Sequence, residues 1–304
     1  VKTHSMGEFV YDHSWADAAR RAGFRYYPKL VIAVPFTPVA GNRLLIAPDV
    51  DRDMALGALM AGLKAATEDC HGLHVLFDTE AEANELTGAG AFTRLQFQFQ
   101  WKNKGYETFD DFLAQFRSNS RKKIRRERRE AGKLDIQRIL NPSESDVTAM
   151  HRFYRNTCAQ FGHWGRVYLS ERFFHYLREN WKDRLLFVLA RHEGEIVAGA
   201  FNVVKGDTMY GRYWGCAEEV KFLHFEVCYY QTIEYCIEHG LQLFEPGHGG
   251  GHKYRRGFEP ALTYSSHWLM DRRLHDGLRE HTQREAEHVR RQAAELTEES
   301  PLKS

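Results

Sequence analysis

Residues 95–101 read Leu-Gln-Phe-Gln-Phe-Gln-Trp, and no other stretch constrains the fold as strongly. A period of two puts Leu95, Phe97, Phe99 and Trp101 on one face of a strand and Gln96, Gln98 and Gln100 on the other. Such a strand, predicted over residues 92–101, belongs in a sheet that meets a core on one side. Before it come predicted strands at 29–36, 43–47 and 74–78, a helix at 49–70 ended by His71-Gly72, and a short helix at 80–87 stopped by Gly88. After it come helices at 108–116, 118–133, 143–161 and 170–181, with a strand at 134–140. A hairpin over Glu193-Gly194 joins 184–192 to 195–205, and a third strand follows at 208–214. A long, almost wholly apolar helix at 221–239 closes on Gly240; strands at 241–244 and 261–270 and a charged helix from Asp271 complete the chain.

One order of elements occurs twice: two strands, a long helix, a short strand, a short helix or glycine turn, and a long strand, over 29–101 and again over 195–270. It predicts two similar α/β domains with mixed sheets, the first lacking its N-terminal part. At about 150 residues per domain, 304 residues also suggest roughly two. With 43% hydrophobic and 27% charged residues, the chain is neither disordered nor collagen-like. No apolar run reaches the ~18 residues of a membrane span, and no signal peptide opens the chain, although a start at Val1 reads as a cut. Five cysteines without a C-x-x-C pattern suggest reduced thiols in a cytoplasmic protein rather than a disulfide framework or a zinc site.

Lys plus Arg (42) and Asp plus Glu (41) nearly cancel, so only local charge can point to a partner. It concentrates in Arg117, Arg121, Lys122, Lys123, Arg125, Arg126, Arg128 and Arg129, opposed by Glu127 and Glu130. The acids are too few to pair the bases at helical spacing, which points to a phosphate or polyanion contact; a solvated helix face is the alternative. Arginine suits bidentate phosphate contacts, and no aromatic ladder for base stacking accompanies it. A second candidate is the run Gly247-His248-Gly249-Gly250-Gly251-His252-Lys253, where flexible N–H donors beside a lysine suit an oxyanion or phosphate. It is neither a Walker loop nor G-x-G-x-x-G. His248 and His252 have metal-compatible spacing but no third ligand, so no metal is expected. A third is Glu226 on the apolar helix, either a general base with a raised pKa or a structural carboxylate bonded to a tyrosine or arginine. The polar cluster of Lys2, His4, Ser5, Glu8, Asp12 and His13 is a fourth, although closeness in sequence does not make a triad.

Several segments together resemble one family: KTHSMGEFVYDHSWADA (2–18), YYPKLVIAVPFTPVAGNRLL (26–45), FQFQWKNKGYETFDDFL (97–113), SRKKIRRERREA (120–131), YGRYWGCAEEVKFLHFEVCYYQTIEYCIEHGL (210–241) and EPGHGGGHKYRRGFEPALTYSSHW (245–268). They are similar to the FemAB-like "peptidoglycan biosynthesis/recognition" family of N-acyltransferases, within the GNAT superfamily. The resemblance implies tandem GNAT-like acyltransferase domains, the first N-terminally truncated: a partial domain at 1–105, a linking basic helical segment at 106–133, a complete domain at 134–270 and a charged helix with a polar tail at 271–304. It also implies transfer of an acyl or aminoacyl group from acyl-CoA or aminoacyl-tRNA, a donor substrate rather than a bound cofactor, to an amine such as that of a peptidoglycan precursor or a small molecule. Lys253 matches the lysine that precedes the family's R-G-F turn. The expected roles are Lys253 and Glu226 in catalysis; Gly249, Gly250, Gly251, His252, Tyr229, His4 and Glu8 around the substrate or oxyanion; and Arg121, Lys122, Lys123, Arg125 and Arg126 on a phosphate, that of tRNA included. One departure bears on the donor. Where acetyl-CoA enzymes of this superfamily carry a Q/R-x-x-G-x-G/A loop, this chain has Trp214-Gly215-Cys216-Ala217-Glu218-Glu219, whose acids would repel pyrophosphate. An acyl-CoA-dependent N-acetyltransferase and a non-catalytic phosphate- or RNA-binding module stay open as alternatives.

Overall fold

A computed structural model of the chain describes residues 1–160 and 166–303. Helix α1 (His13–Arg21) buries Trp15 and Ala19. Of the two strands expected next, one forms, and it is short: β1 (Leu30–Ile32). Residues 43–47 form no strand, because their backbone is bonded elsewhere. The N–H groups of Arg43 and Leu44 donate to the Glu82 carboxylate at 2.8–3.0 Å, and the Arg43 guanidinium donates to the carbonyls of Leu76, Gly41 and Val39. Helix α2 (Arg52–Ala66) starts at Asp51, whose side chain accepts from the Met54 N–H, and stops short of the expected end at Thr67. Strand β2 (Gly72–Asp78) is buried throughout; α3 (Glu80–Gly88) follows, capped by Thr79. Strand β3 (Phe92–Lys102) runs one residue past its predicted end at Trp101.

Helix α4 (Phe109–Ala114) begins with a reciprocal capping box between Thr108 and Asp111. The basic helix α5 (Ser118–Ala131) buries Ile124, Glu127 and Ala131. Strand β4 (Asp135–Leu140) leads to α6 (Glu144–Gln160), where Ser143 and Asp146 cap each other; the expected last residue, Phe161, lies outside the described residues. After α7 (Glu171–Trp181), β5 (Leu185–His192) and β6 (Glu195–Lys205) form the predicted hairpin, with φ of 50° at Glu193 and 87° at Gly194. Strand β7 (Thr208–Cys216) passes so close to α6 that a Cβ on Gly215 would lie 2.1 Å from the Phe153 carbonyl oxygen. The long helix is not continuous. It comprises α8 (Leu223–Phe225), a π-helical segment (Glu226–Tyr230) and α9 (Gln231–Glu238), and it ends at Gly240 with φ of 66°. Strand β8 (Leu243–Glu245), the glycine loop and a 3-10 turn (Tyr254–Arg256) lead to β9 (Glu259–Leu269) and α10 (Arg272–Glu298).

Two compact units result. The first holds residues 1–98 and 260–298, the second 99–259 and 299–304. In the first, the strand order is β1-β2-β9-β3, with β1 parallel and β9 antiparallel to β2. In the second it is β3-β8-β7-β6-β5-β4, antiparallel except for the β7–β8 pair. Both are mixed sheets with helices, as the element order predicted. Residues 261–270 were expected within the second domain, but β9 pairs with β2 and groups with the first unit, because its register from Tyr264 to Leu269 matches β2. In the second unit, Trp101, Met209 and Phe244 pack under the π segment and α4, while Phe187, Phe201 and Tyr213 pack with α6 and α7. No helix among the described residues is long and apolar enough to cross a membrane.

Candidate functional site

The glycine loop leaves β8 after Glu245 and turns through left-handed conformations at Gly247, Gly249 and Gly250, with φ of 85°, 72° and 86°. A side chain at Gly250 would also collide with the His252 ring, 2.8 Å from its missing Cβ. Lys253 is buried, with 3% exposure, and its Nζ donates to the carbonyls of Gly247 (2.6 Å) and His248 (3.3 Å). The lysine therefore braces the loop from inside. Burial lowers its pKa to about 8. Burial, and then the Lys253 charge, lowers His248 to about 4. Burial, and then His252 and Arg256, lowers His224 to about 3. Both imidazoles are therefore neutral donor–acceptors at neutral pH.

The π segment contributes three polar side chains, Glu226, Tyr229 and Tyr230. The Tyr229 hydroxyl shares a hydrogen bond of 2.8 Å with His252 Nε2. Tyr230 donates to Glu127 Oε2 at 2.5 Å, and Arg256 Nη2 donates to both Glu127 oxygens at 2.9 Å. The Arg256 guanidinium also lies over the Phe225 ring, 3.3 Å from its centroid. Glu226 is tied to the basic helix. Its Oε1 accepts from Arg128 Nε (3.2 Å) and Gln231 Nε2 (2.8 Å), while Oε2 is buried without a hydrogen-bond partner. Burial raises the Glu226 pKa against the opposing pull of Arg128 and Gln231. Glu226 thus has the arginine partner of one reading and the raised pKa of the other.

Helix α5 brings part of its charge to this place. Lys123 and Glu127 line a cleft of about 510 Å³ together with Phe222, Phe225, Gly251, His252, Arg255 and Arg256. Three cations there face one carboxylate, and that carboxylate is already paired with Arg256. Of the five expected phosphate-binding residues, Lys123 alone is among the cleft lining. Arg126 lies over the Phe222 ring, Arg125 reaches Asp110, and Lys122 is exposed. Arg255, Arg256 and Glu127 did not stand out in the sequence as site residues. The signal was the Arg-Arg pair beside Lys253, and Glu127 as one of two acids within a basic run.

His4 and Glu8 belong to the first unit. Glu8 is consumed in a buried ion cluster. Lys29 Nζ, with 0% side-chain exposure, meets Glu8 Oε2 and Asp12 Oδ2 at 2.6 Å and the Ser5 hydroxyl at 2.9 Å. Burial opposes the Asp12 charge, yet Lys29 beside it holds the carboxyl well below the usual carboxylate range. His4 Nδ1 accepts from the Met6 N–H, closing a turn. Lys29 escaped the sequence reading because it opens an otherwise apolar strand segment. Among the described residues no three His, Cys, Asp or Glu side chains converge as a metal site would require, and the five cysteines are free.

Comparison with solved structures supports the fold. The C-terminal domain of a protein assigned as a lysylphosphatidylglycerol synthetase from Agrobacterium fabrum matches with a TM-score of 0.55 at 9% identity, over 74% of this chain and 76% of that one. FemX matches with a TM-score of 0.51 at 13% identity, over 81% and 85%. A GCN5-related N-acetyltransferase from Kribbella flavida is more distant, with a TM-score of 0.37 at 11% identity over 80% and 53%. Among curated proteins none matches the sequence. The family model described as FemAB-like, peptidoglycan biosynthesis/recognition, matches residues 1–304. The chain belongs to that FemAB-like family.

Proposed function

We propose that the protein is a cytoplasmic N-acyltransferase that moves an acyl or aminoacyl group from an activated ester or thioester to an amine. The observation that carries this reading is the convergence on one cleft of a glycine loop braced by a buried lysine and a cationic rim of Lys123, Arg255 and Arg256. Family membership and a fold shared with FemX support it. The repeated order of elements supports a tandem of GNAT-like domains as its framework.

The cationic rim takes the phosphate-bearing part of the donor, and the aromatic edges of Phe222 and Phe225 flank it. The amine attacks the acyl carbon, and negative charge grows on the carbonyl oxygen. The N–H groups of Gly249 to Gly251, with Lys253 holding the loop in shape, are the donors for that oxygen. The C–O or C–S bond then breaks, and the products are an amide and a free alcohol or thiol. The amine of a peptidoglycan precursor is the acceptor class that the family description favours.

A thermal-shift panel of acyl-CoAs, aminoacyl-tRNA and nucleotide-linked muropeptides identifies donor and acceptor. With the stabilising pair, Lys253→Ala should lose about 10²–10³-fold in turnover, while Lys253→Arg retains part of it. Undiminished turnover in Lys253→Ala would remove the loop from the reaction. An RNA-binding module is set apart by affinity for RNA that falls steeply with salt and is accompanied by no turnover.

A further inference from the structure

Building on the acyl-transfer reading, we infer that Glu245 forms the subsite for the acceptor's amine and is the group that takes its proton. Glu245 is the last residue through which β8 pairs with its parallel neighbour β7, opposite Tyr210. Beyond that point β7 stays paired with β6 as far as Cys216, whereas the chain after Glu245 turns away into the glycine loop. The ladder between the two parallel strands therefore ends at this carboxylate, with Pro246 and Gly247 still packed against Gly211 of β7. Crevices at the carboxyl ends of parallel strands are where ligands bind in open α/β sheets.

The face matters as much as the position. Trp101, Met209 and Phe244 point into the core beneath the π segment. Strand alternation then sends their neighbours Gln100, Tyr210 and Glu245 to the opposite face. Gln100, Tyr210 and Arg212 are half-buried, and Glu245 keeps 9% exposure. Gln100 Nε2 donates to Glu245 Oε1 at 2.9 Å, fixing the carboxylate while leaving its second oxygen for another donor. The charged and titratable neighbours are both on β7: Arg212, whose charge favours the carboxylate, and Tyr210, whose hydroxyl is held protonated by burial and then by Glu245. From β3 comes the neutral Gln100 amide. Burial outweighs Arg212 and Gln100 and raises Glu245 to about 7. Glu226 lacks this setting, because its carboxylate is ion-paired with Arg128 and its second oxygen is fully buried. The glycine loop runs from Glu245 to Gly251 and His252 at the cationic cleft, so a single loop borders both the amine subsite and the donor cleft.

In the reaction the amine nitrogen bonds to the acyl carbon, and its N–H becomes acidic as that bond forms. Glu245 accepts this proton and returns it to the leaving oxygen or sulfur as the ester or thioester bond breaks, so the carboxylate is regenerated.

Two readouts on the full chain test the inference. Side-chain carboxyls of ¹³C-labelled glutamates are titrated by NMR with n-butylammonium chloride against sodium chloride. One carboxyl titrating near pH 7, absent in Glu245→Gln, should shift with the amine and not with sodium. In acyl transfer, Glu245→Gln should lose about 10²–10⁴-fold in kcat, with donor KM unchanged and the melting temperature not lowered, and should lose the acid limb near pH 7. A Glu245 resonance unmoved by the amine, or a Glu245→Gln variant of normal turnover and pH profile, overturns the inference even where the wild type transfers acyl groups. A Glu245 resonance shifted by the amine in a chain that transfers nothing upholds the subsite and rejects acyl transfer.

Discussion

Lys29 shows what burial does to a charge. Its ammonium has three partners, Ser5, Glu8 and Asp12, and no contact with water, so each hydrogen is satisfied. Removing the ammonium alone leaves two buried carboxylates, with only Lys2 beside Glu8 and the Tyr26 hydroxyl on Asp12. Lys29→Met should therefore cost about 3–5 kcal/mol in chemical denaturation, and the triple change with Glu8→Gln and Asp12→Asn should recover much of it. Glu245 gives a pH dependence of opposite origin. Its folded pKa, about 7, lies above the ordinary 4.5, so between those values the folded state holds a proton that the unfolded chain has released. The stability this contributes is complete below about pH 4.5 and is lost as pH rises through 7. Glu245→Gln cannot titrate, and should gain on the wild type by up to roughly 3 kcal/mol between pH 4.5 and pH 8 in urea unfolding. Neither residue is conspicuous in the sequence. Residue type reveals a charge, but burial depends on partners that lie 17 to 24 positions away for Lys29 and 145 for Glu245.

At the scale of elements, periodicity carried most of the reading. Strand β3, helices α3 to α7 and the β5–β6 hairpin lie close to where alternation, caps and turn residues put them. Two elements departed from the pattern for physical reasons. Residues 43–47 have strand-like composition, but side-chain bonds from Glu82 and Arg43 take the place of a ladder. The helix around Glu226 is apolar almost all round, so no stripe marks the change of register where the π segment begins. That change rotates Tyr229 and Tyr230 toward His252 and Glu127. Close packing between α6 and β7 leads to a sharp test. A methyl group on Gly215 would meet the Phe153 carbonyl and the Thr157 hydroxyl, which is itself bonded to the Trp214 carbonyl at 2.7 Å. Gly215→Ala should cost about 3 kcal/mol or more, seen as a lowered melting temperature, because backbone on both sides resists displacement.

For the whole molecule, the repeated order of elements was legible, and the structure keeps it except for the missing second strand of the first copy. Partnership between strands was not legible. The strand that ends the first copy, β3, pairs with β8, and the strand that ends the second, β9, pairs with β2. Hydrophobic pattern specifies which face of a strand is buried, but it does not specify which edge the strand joins. The basic helix shows the same division. Its sequence announced an anion contact, but only folding selects Lys123 for the cleft and commits Arg128 to Glu226 and Glu234.

The exchange of closing strands governs how the chain can come into being. The first unit needs residues as far as Glu298, and the second includes the last segment, where the Phe116 backbone bridges to Leu302. A ribosome releasing residues in order therefore completes neither unit before Glu298 emerges. Edges of β2 and β3 wait unpaired through most of synthesis, exposed to self-association. A stop codon placed even at the end of β9 would remove α10 from the first unit and the closing segment from the second, damaging both at once.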